Sequence, residues 1–325
     1  MFPSHYLQSN LTILFYSFPY PGDPAYSPLI STFWHFTHTT SNETFKLGYI
    51  INPVAEALRL LPPNLSQLVS LDAQSKTVSL VADTPDSRSE ALSRILSHWR
   101  EDRRFTVLKG WRGESYPIYA PPGLLYAGIE RAGAPLFGIV AHCVYLIGYS
   151  FVGKEKELKL WIPRRSKTKQ TYAAMLDVTV AGAMVVGEGA RDCVSREAFE
   201  EASLSMEMVR EQAKEVARVS YFGVSTGDPK HGGGERGLCL PEAGVVYEIM
   251  LDEKVQLRPR DGEVEEFYCW SVPEVQEALQ RGEFKGNSGA VMVDWLEDRG
   301  MLGLEKGTGE LVSEKMRRKL DFPHK

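Results

Sequence analysis

The sequence predicts an α+β fold built around a sandwiched sheet, and not a doubly wound parallel one. Three observations lead there. From Leu136 onward, "LFGIVAHCVYLIGY", "LKLWIPRR", "VTVAGAMVV", "RVSYFGV", "GVVYEIML" and "VEEFYCWSV" are rich in β-branched and aromatic residues, the composition of strands. Two helical stretches interrupt them, around residues 192–203 and 273–281. The resulting order is strands, helix, strands, helix, whereas a doubly wound fold alternates strand and helix throughout.

Taken in order, residues 1–40 are rich in Ser, Thr, Pro and aromatics and are expected to form a poorly ordered leader. The first 45 residues hold no Lys or Arg, so a signal peptide and an Arg-rich transit peptide are not expected. The apolar run 11–18 is too short to span a bilayer. "KLGYIINPVAEALRLLPP" reads as a strand running into a helix that ends at Pro62. "SRSEALSRILSHWRED" reads as a helix, with Ser87 and Glu90 as a capping box and Leu92, Ile95, Leu96 and Trp99 as one core-facing stripe. The change of character near 136 divides a smaller α+β domain, 41–135, from a larger one, 136–310, with a tail at 311–325. In the larger part, "GDPKHGGGERG" at 227–237 reads as a hairpin loop. Its glycines lack the strand-to-helix setting of a phosphate cradle. A helix is expected to begin after Ser271 with Pro273 early in it, and another through 289–299.

Composition narrows the function. The 325 residues are 43% hydrophobic and 24% charged, enough for a sizeable core and about two domains. A net charge of −5 advertises neither a nucleic-acid nor a membrane partner. Cys143, Cys193, Cys239 and Cys269 form no CxxC pair, and the seven histidines are dispersed. They read as buried thiols in a reducing, cytoplasmic setting, with no zinc site.

The most informative stretch is "GAMVVGEGARDCVSREAFEEASL", residues 182–204. Glu197, Glu200 and Glu201 share one helical face and repel one another there. Val194, Ala198 and Ala202 form the opposite, packable side. A surface helix that is merely acidic would more naturally interleave Lys or Arg. A divalent cation over the carboxylates makes sense of the crowding, because Mg²⁺ prefers oxygen ligands and is commonly shared with substrate phosphates.

Gly182, five residues, Glu188, seven residues, then Arg196-Glu197-x-x-Glu200-Glu201 resembles the signature of the Nudix hydrolases, G-x5-E-x7-R-E-U-x-E-E-x-G-U, where U is a bulky aliphatic residue. Leu204 matches the final U. Ala198 stands in place of the first U and Ser203 in place of the late glycine. Further stretches, "LKLWIPRRSKTKQTY", "DGEVEEFYCWSVPEVQEALQRGEFK" and "RRKLDFP", with "GYIINPVAEALR" and "LSHWREDRRFTVLKGWRGESYPIY" earlier, resemble the thiamine pyrophosphokinase-related Nudix proteins of fungi and plants, which carry an additional N-terminal domain.

The resemblance implies a Nudix-type α/β/α sandwich with a mixed sheet, preceded by a smaller α+β domain. It implies hydrolysis of a small-molecule diphosphate with Mg²⁺ or Mn²⁺, held by Glu197, Glu200, Glu201 and the carbonyl of Gly182. Arg196 would position the glutamates and Glu188 would brace the preceding loop. The general base is left open between Glu197 and Glu263, Glu265 or Glu266 of "DGEVEEF". Strand alternation would put Glu263 and Glu265 on one face and Glu266 on the other. Arg164, Arg165, Lys167 and Lys169 read either as a grip on the terminal phosphate or as a solvated loop. After them, Ala173, Ala174 and Val178 replace the Pro-Gly and the Asn that family members usually carry, which bears on substrate recognition. Trp111, Tyr116, Tyr119 and Trp161 are candidates for ring stacking or for core.

The leading expectation is therefore cleavage of thiamine diphosphate, or its damaged oxo and oxy forms, to the monophosphate. Alternatives are clean-up of oxidised nucleoside diphosphates such as 8-oxo-dGDP, or a non-catalytic diphosphate-binding module. No GxxxxGK[ST] loop is present, so kinase activity is not expected.

Overall fold

The computed structural model describes residue 19 and residues 22–169, 171–228, 233–303 and 308–324. Twelve strands among these residues form three sheets. β1 (Trp34–Thr39), β2 (Thr44–Ile50), β3 (Val69–Asp72) and β4 (Thr77–Leu80) lie in the order β2-β1-β4-β3. β1 runs parallel to β4 and antiparallel to β2. A hairpin of β5 (Ser115–Tyr119) and β6 (Leu125–Glu130) packs against the long helix Pro85–Glu101. Leu92, Ile95, Leu96 and Trp99 of that helix are all buried, with Trp34, Phe36 and Phe137, in one core.

The large sheet contains β7 (Ala141–Val152), β8 (Glu157–Arg165), β9 (Val180–Ala183), β10 (Lys214–Val224), β11 (Cys239–Met250) and β12 (Val264–Ser271). Its order is β10-β11-β7-β8-β12, with β9 also on β7. Only the β11–β7 pair is parallel, so the sheet is mixed. Successive strand residues face opposite sides, and both sides are apolar. Val144 and Leu146 join Val194 and Ala198 of the helix Ala190–Ala202 in one core. Tyr145 and Ile147 join Val275 and Val291 of the helices Val272–Gln280 and Gly286–Glu297 in another. The result is an α/β/α sandwich preceded by a smaller α+β unit, as expected.

Several expectations need correction. β1 and the helix Tyr26–Ile30 fall inside the stretch expected to be a leader. Aromatic and Thr residues suit strands, and Trp34, Phe36 and Thr37 are buried. Residues 1–18, 20 and 21 of that stretch lie outside the described residues, as do 229–232 of the loop 227–237. The Pro85–Glu101 helix is capped by Thr84, not Ser87. Ser87 N donates to Thr84 Oγ1 (3.2 Å) and Thr84 N to Ser87 Oγ (3.1 Å), with Pro85 suited to the first turn. Cys269 is exposed and Cys143 only half-buried; all four cysteines are free.

The expected tail is also part of the fold. Leu320 and Phe322 are buried against Tyr49 and Phe222, and the hydroxyls of Tyr26 and Tyr49 donate to Asp321. Where the first sheet meets the segment feeding β7, two glycines touch. A Cβ on Gly48 would lie 2.2 Å from the Phe137 carbonyl oxygen, and one on Gly138 2.2 Å from that of Tyr49. No helix among the described residues is long and apolar enough to cross a membrane.

Candidate active site

The helix Ala190–Ala202 is held on the sheet by Cys193, Val194, Ala198 and Ala202, small groups that let it approach closely. Pairing of Gly182 with Val144 places β9 beneath it. A Cβ at Gly182 would fall 2.1 Å from Glu197 Cδ, so only glycine leaves room for that carboxylate. Ser203, where the signature has glycine, adopts φ 57° at the helix end. Its hydroxyl donates to the Arg258 carbonyl at 2.9 Å.

Arg196 organises the acidic face. Its Nε and Nη2 donate to both oxygens of Glu188 (2.8 and 3.0 Å), and its Nη1 to Glu197 (2.9 Å) and Glu200 (3.0 Å). Glu188 accepts from the Val185 amide at 3.3 Å, tying the loop to the helix. Burial opposes the Glu188 charge, but these donors hold its carboxyl below the usual range. Glu201 is buried and accepts from the Ala181 amide at 3.3 Å. Burial first, then the charge of Glu197, pushes the Glu201 carboxyl well up. Burial likewise lifts Glu197 to about 7, against the pull of Arg196. Glu200 is more open to solvent.

The basic stretch does not form one grip. Arg165 is buried and pairs with Asp177 at 2.8 Å, while its other nitrogens bond the carbonyls of Thr171 and Tyr172. Arg164, on the opposite strand face, bonds the Tyr268 hydroxyl and the Ala174 carbonyl. Lys167 is exposed and pairs with Glu265. Only Arg165 and Lys169 of the four reach the cleft described below. Ala174, at the expected Pro-Gly position, takes φ 60°, the left-handed region that favours glycine.

The acidic triplet is split as well. Glu263 precedes β12 and pairs with Arg112 (2.6 Å) and Lys169. Burial opposes its charge, yet these two cations hold its carboxyl at about 2. A register shift between Val264 and Glu266 leaves Glu265 without a partner residue in the ladder. Both Glu265 and Glu266 are exposed, so the expected grouping of Glu263 with Glu265 fails at this bulge. Of the four aromatics, Trp161 is core, Trp111 packs beneath Arg100 and Tyr119 beside His142. Tyr116 is buried but borders the cleft.

That cleft, of about 350 Å³, lies between the N-terminal unit and the large sheet. Tyr116, Arg131 and Pro135 form one wall; Gly182, Glu197, Glu242, Glu263 and Lys285 are among the others. Glu242 and Lys285 escaped the sequence reading because their company is non-local. The available hint was that β11 carries two acidic residues, Glu242 and Glu248, among mostly apolar ones.

Among the described residues, no three His, Cys, Asp or Glu side chains converge as a ready ligand set. The donors nonetheless suit a hard cation: all are oxygens, of three carboxylates and the Gly182 carbonyl, and two of the carboxylates are buried at the expense of their charge.

Residues 43–141 match a family model described as a domain of unknown function, DUF4743. The uncharacterized protein YJR142W of Saccharomyces cerevisiae is 32% identical over 88% of this chain and 83% of its own length. "Nudix hydrolase 20, chloroplastic" of Arabidopsis thaliana is 29% identical over 70% of this chain and 57% of its own. The chain thus spans little more than half of that plant relative. A Deinococcus radiodurans protein of known crystal structure is 19% identical, covering 53% of this chain and 81% of that one, with a TM-score of 0.33.

Proposed function

We propose that the chain is a Nudix hydrolase, a reading supported by its 182–204 signature and by the names of its plant relatives, and that it converts an organic diphosphate to the monophosphate with Mg²⁺ or Mn²⁺. Thiamine diphosphate, with its oxo and oxy forms, is the substrate we assign on the subfamily resemblance. The same reading takes the N-terminal unit as a distinct domain and the location as cytoplasmic, in keeping with four free cysteines.

One observation carries the proposal. Glu197 and Glu201 are kept close and largely buried beside a cleft, although burial and mutual repulsion oppose their charges. Glu197, Glu200, Glu201 and the Gly182 carbonyl would hold the cation. Such an ion supplies neutralisation of diphosphate charge and a bound water of lowered pKa. Arg196 fixes the glutamates by its fork, and Glu188 fixes Arg196 in turn. Of the candidate bases, Glu265 and Glu266 are exposed and Glu263 is saturated by Arg112 and Lys169. That leaves Glu197, which borders the cleft and has one oxygen that Arg196 does not engage, as the proton acceptor we assign.

The test is phosphate release from a panel holding thiamine diphosphate, its oxidised forms and nucleoside diphosphates, with Mg²⁺. The expected outcome is turnover of at least one compound, reduced about a hundredfold or more by Glu200→Gln combined with Glu201→Gln. Tight binding without release from any compound would instead identify a non-catalytic module.

A further inference from the structure

Most charged side chains lining the cleft are already neutralised. Arg131 pairs with Glu114 at 2.8 Å, Arg165 with Asp177 at 2.8 Å, Lys169 with Glu263, and Glu197 with Arg196 at 2.9 Å. Two are not. Among the described residues, neither Glu242 nor Lys285 has an oppositely charged group within ion-pair distance.

Glu242 is set up to act as an acceptor. The Tyr145 hydroxyl donates to its carboxylate. That hydroxyl in turn accepts from Asn287 Nδ2 at 3.1 Å and lies 3.1 Å from the Tyr221 hydroxyl. Two buried tyrosines on the sheet floor thus orient a carboxylate into the cleft, and an ionised carboxylate can only accept. Leaving it half-buried without a counter-charge is costly unless a guest supplies one. Lys285 lies over the Tyr172 ring, 5.8 Å from its centroid, on the same cleft, and asks for an anion. Tyr116 and Pro135 offer the facing wall, flat and largely apolar, from the N-terminal unit.

We propose that Glu242 determines specificity for the organic half of the substrate, selecting rings that present N–H donors or carry positive charge, while Lys285 takes the anionic end. This rests on the diphosphate reading above and narrows it to one class: diphosphates of amino-bearing or cationic heterocycles. The opposed charges fix the orientation of the guest, and the N-terminal unit becomes part of the substrate pocket.

Equilibrium binding in metal-free buffer tests the idea, using thiamine diphosphate, ADP and CDP against isopentenyl diphosphate, which has no ring and no N–H group. In the wild type, at least one ring compound is expected to bind about tenfold or more tightly than isopentenyl diphosphate. Glu242→Met, which keeps the side chain's length but has neither charge nor an oxygen acceptor, erases that margin and leaves isopentenyl diphosphate within about twofold. Lys285→Gln weakens ring compounds and isopentenyl diphosphate alike. A margin absent from the wild type overturns the proposal whether or not the variant folds, and so does a margin that survives Glu242→Met. Phosphate release judges the hydrolase reading separately. Selective binding without release leaves the selection standing and sinks hydrolysis, whereas hydrolysis that ignores the ring does the reverse.

Discussion

At Gly182 the absent side chain is the functional feature. An added methyl would meet the Cγ and Cδ of Glu197, the far end of a side chain that can swing away. Gly182→Ala should therefore cost less than about 1 kcal/mol in a denaturation experiment. The displaced carboxylate should lower kcat about a hundredfold, as misplacement by an ångström does. Equal and large losses in both would show that Gly182 serves folding alone. Residues 188, 196, 197, 200 and 201 were legible in the sequence because one loop and one helix determine their mutual positions. Glu242 was not, nor was the pairing that takes Arg165 out of the expected grip, because their partners, Tyr145 and Asp177, arrive through strand pairing and a turn that no local spacing encodes. Lys167 illustrates the converse: a cation in the right run of sequence, yet exposed and spent on Glu265.

β1 shows what an element adds. His35 and His38 are half-buried beside its buried residues Trp34, Phe36 and Thr37, and both imidazoles sit below their usual range. Burial is the main cause for each, with Lys46 and Lys76 adding to it at His35 and Arg88 at His38, against a hydrogen bond to the Ile30 carbonyl at His35. The folded state thus prefers the neutral rings. Their contribution to stability is complete above the unfolded value of about 6.5 and is lost as pH falls through it toward the folded values. Melting temperatures from pH 7.5 to pH 5, in the wild type and in a His35→Asn, His38→Asn variant, should differ by a margin that shrinks with acidity. The difference between the two proteins is the quantity to follow, because Glu197, lifted to about 7, titrates in the same window with opposite sign. A pH-independent difference would refute the assignment. The strands of the large sheet and the longer helices were legible from composition, caps and apolar patterning. β1 was not, since its Ser/Thr-rich surroundings resemble a linker until β2 and β4 flank it.

For the whole molecule, closure of the ends matters more than composition suggested. Phe322 meets Tyr49 edge-on at 4.7 Å and is 3% exposed, so Phe322→Ala should cost about 3–4 kcal/mol. A loss under about 1 kcal/mol, measured by urea unfolding, would return residues 311–325 to the status of a tail. Gly48→Ala is the counterpart of Gly182→Ala. Its methyl would strike the Phe137 and Gly138 backbone, which cannot swing aside, so about 2–3 kcal/mol of stability should go. Retention of wild-type stability would mean that the two segments can separate there.

That meeting of Gly48 and Gly138 has a mechanical consequence. With main chain laid directly on main chain, the joint has no lubricating layer of side chains over which one lobe could slide or yaw across the other. The cavity beside it behaves as a fixed vestibule rather than a jaw. Any gating is then left to side chains of its lining, such as Lys285, and not to rigid-body closure.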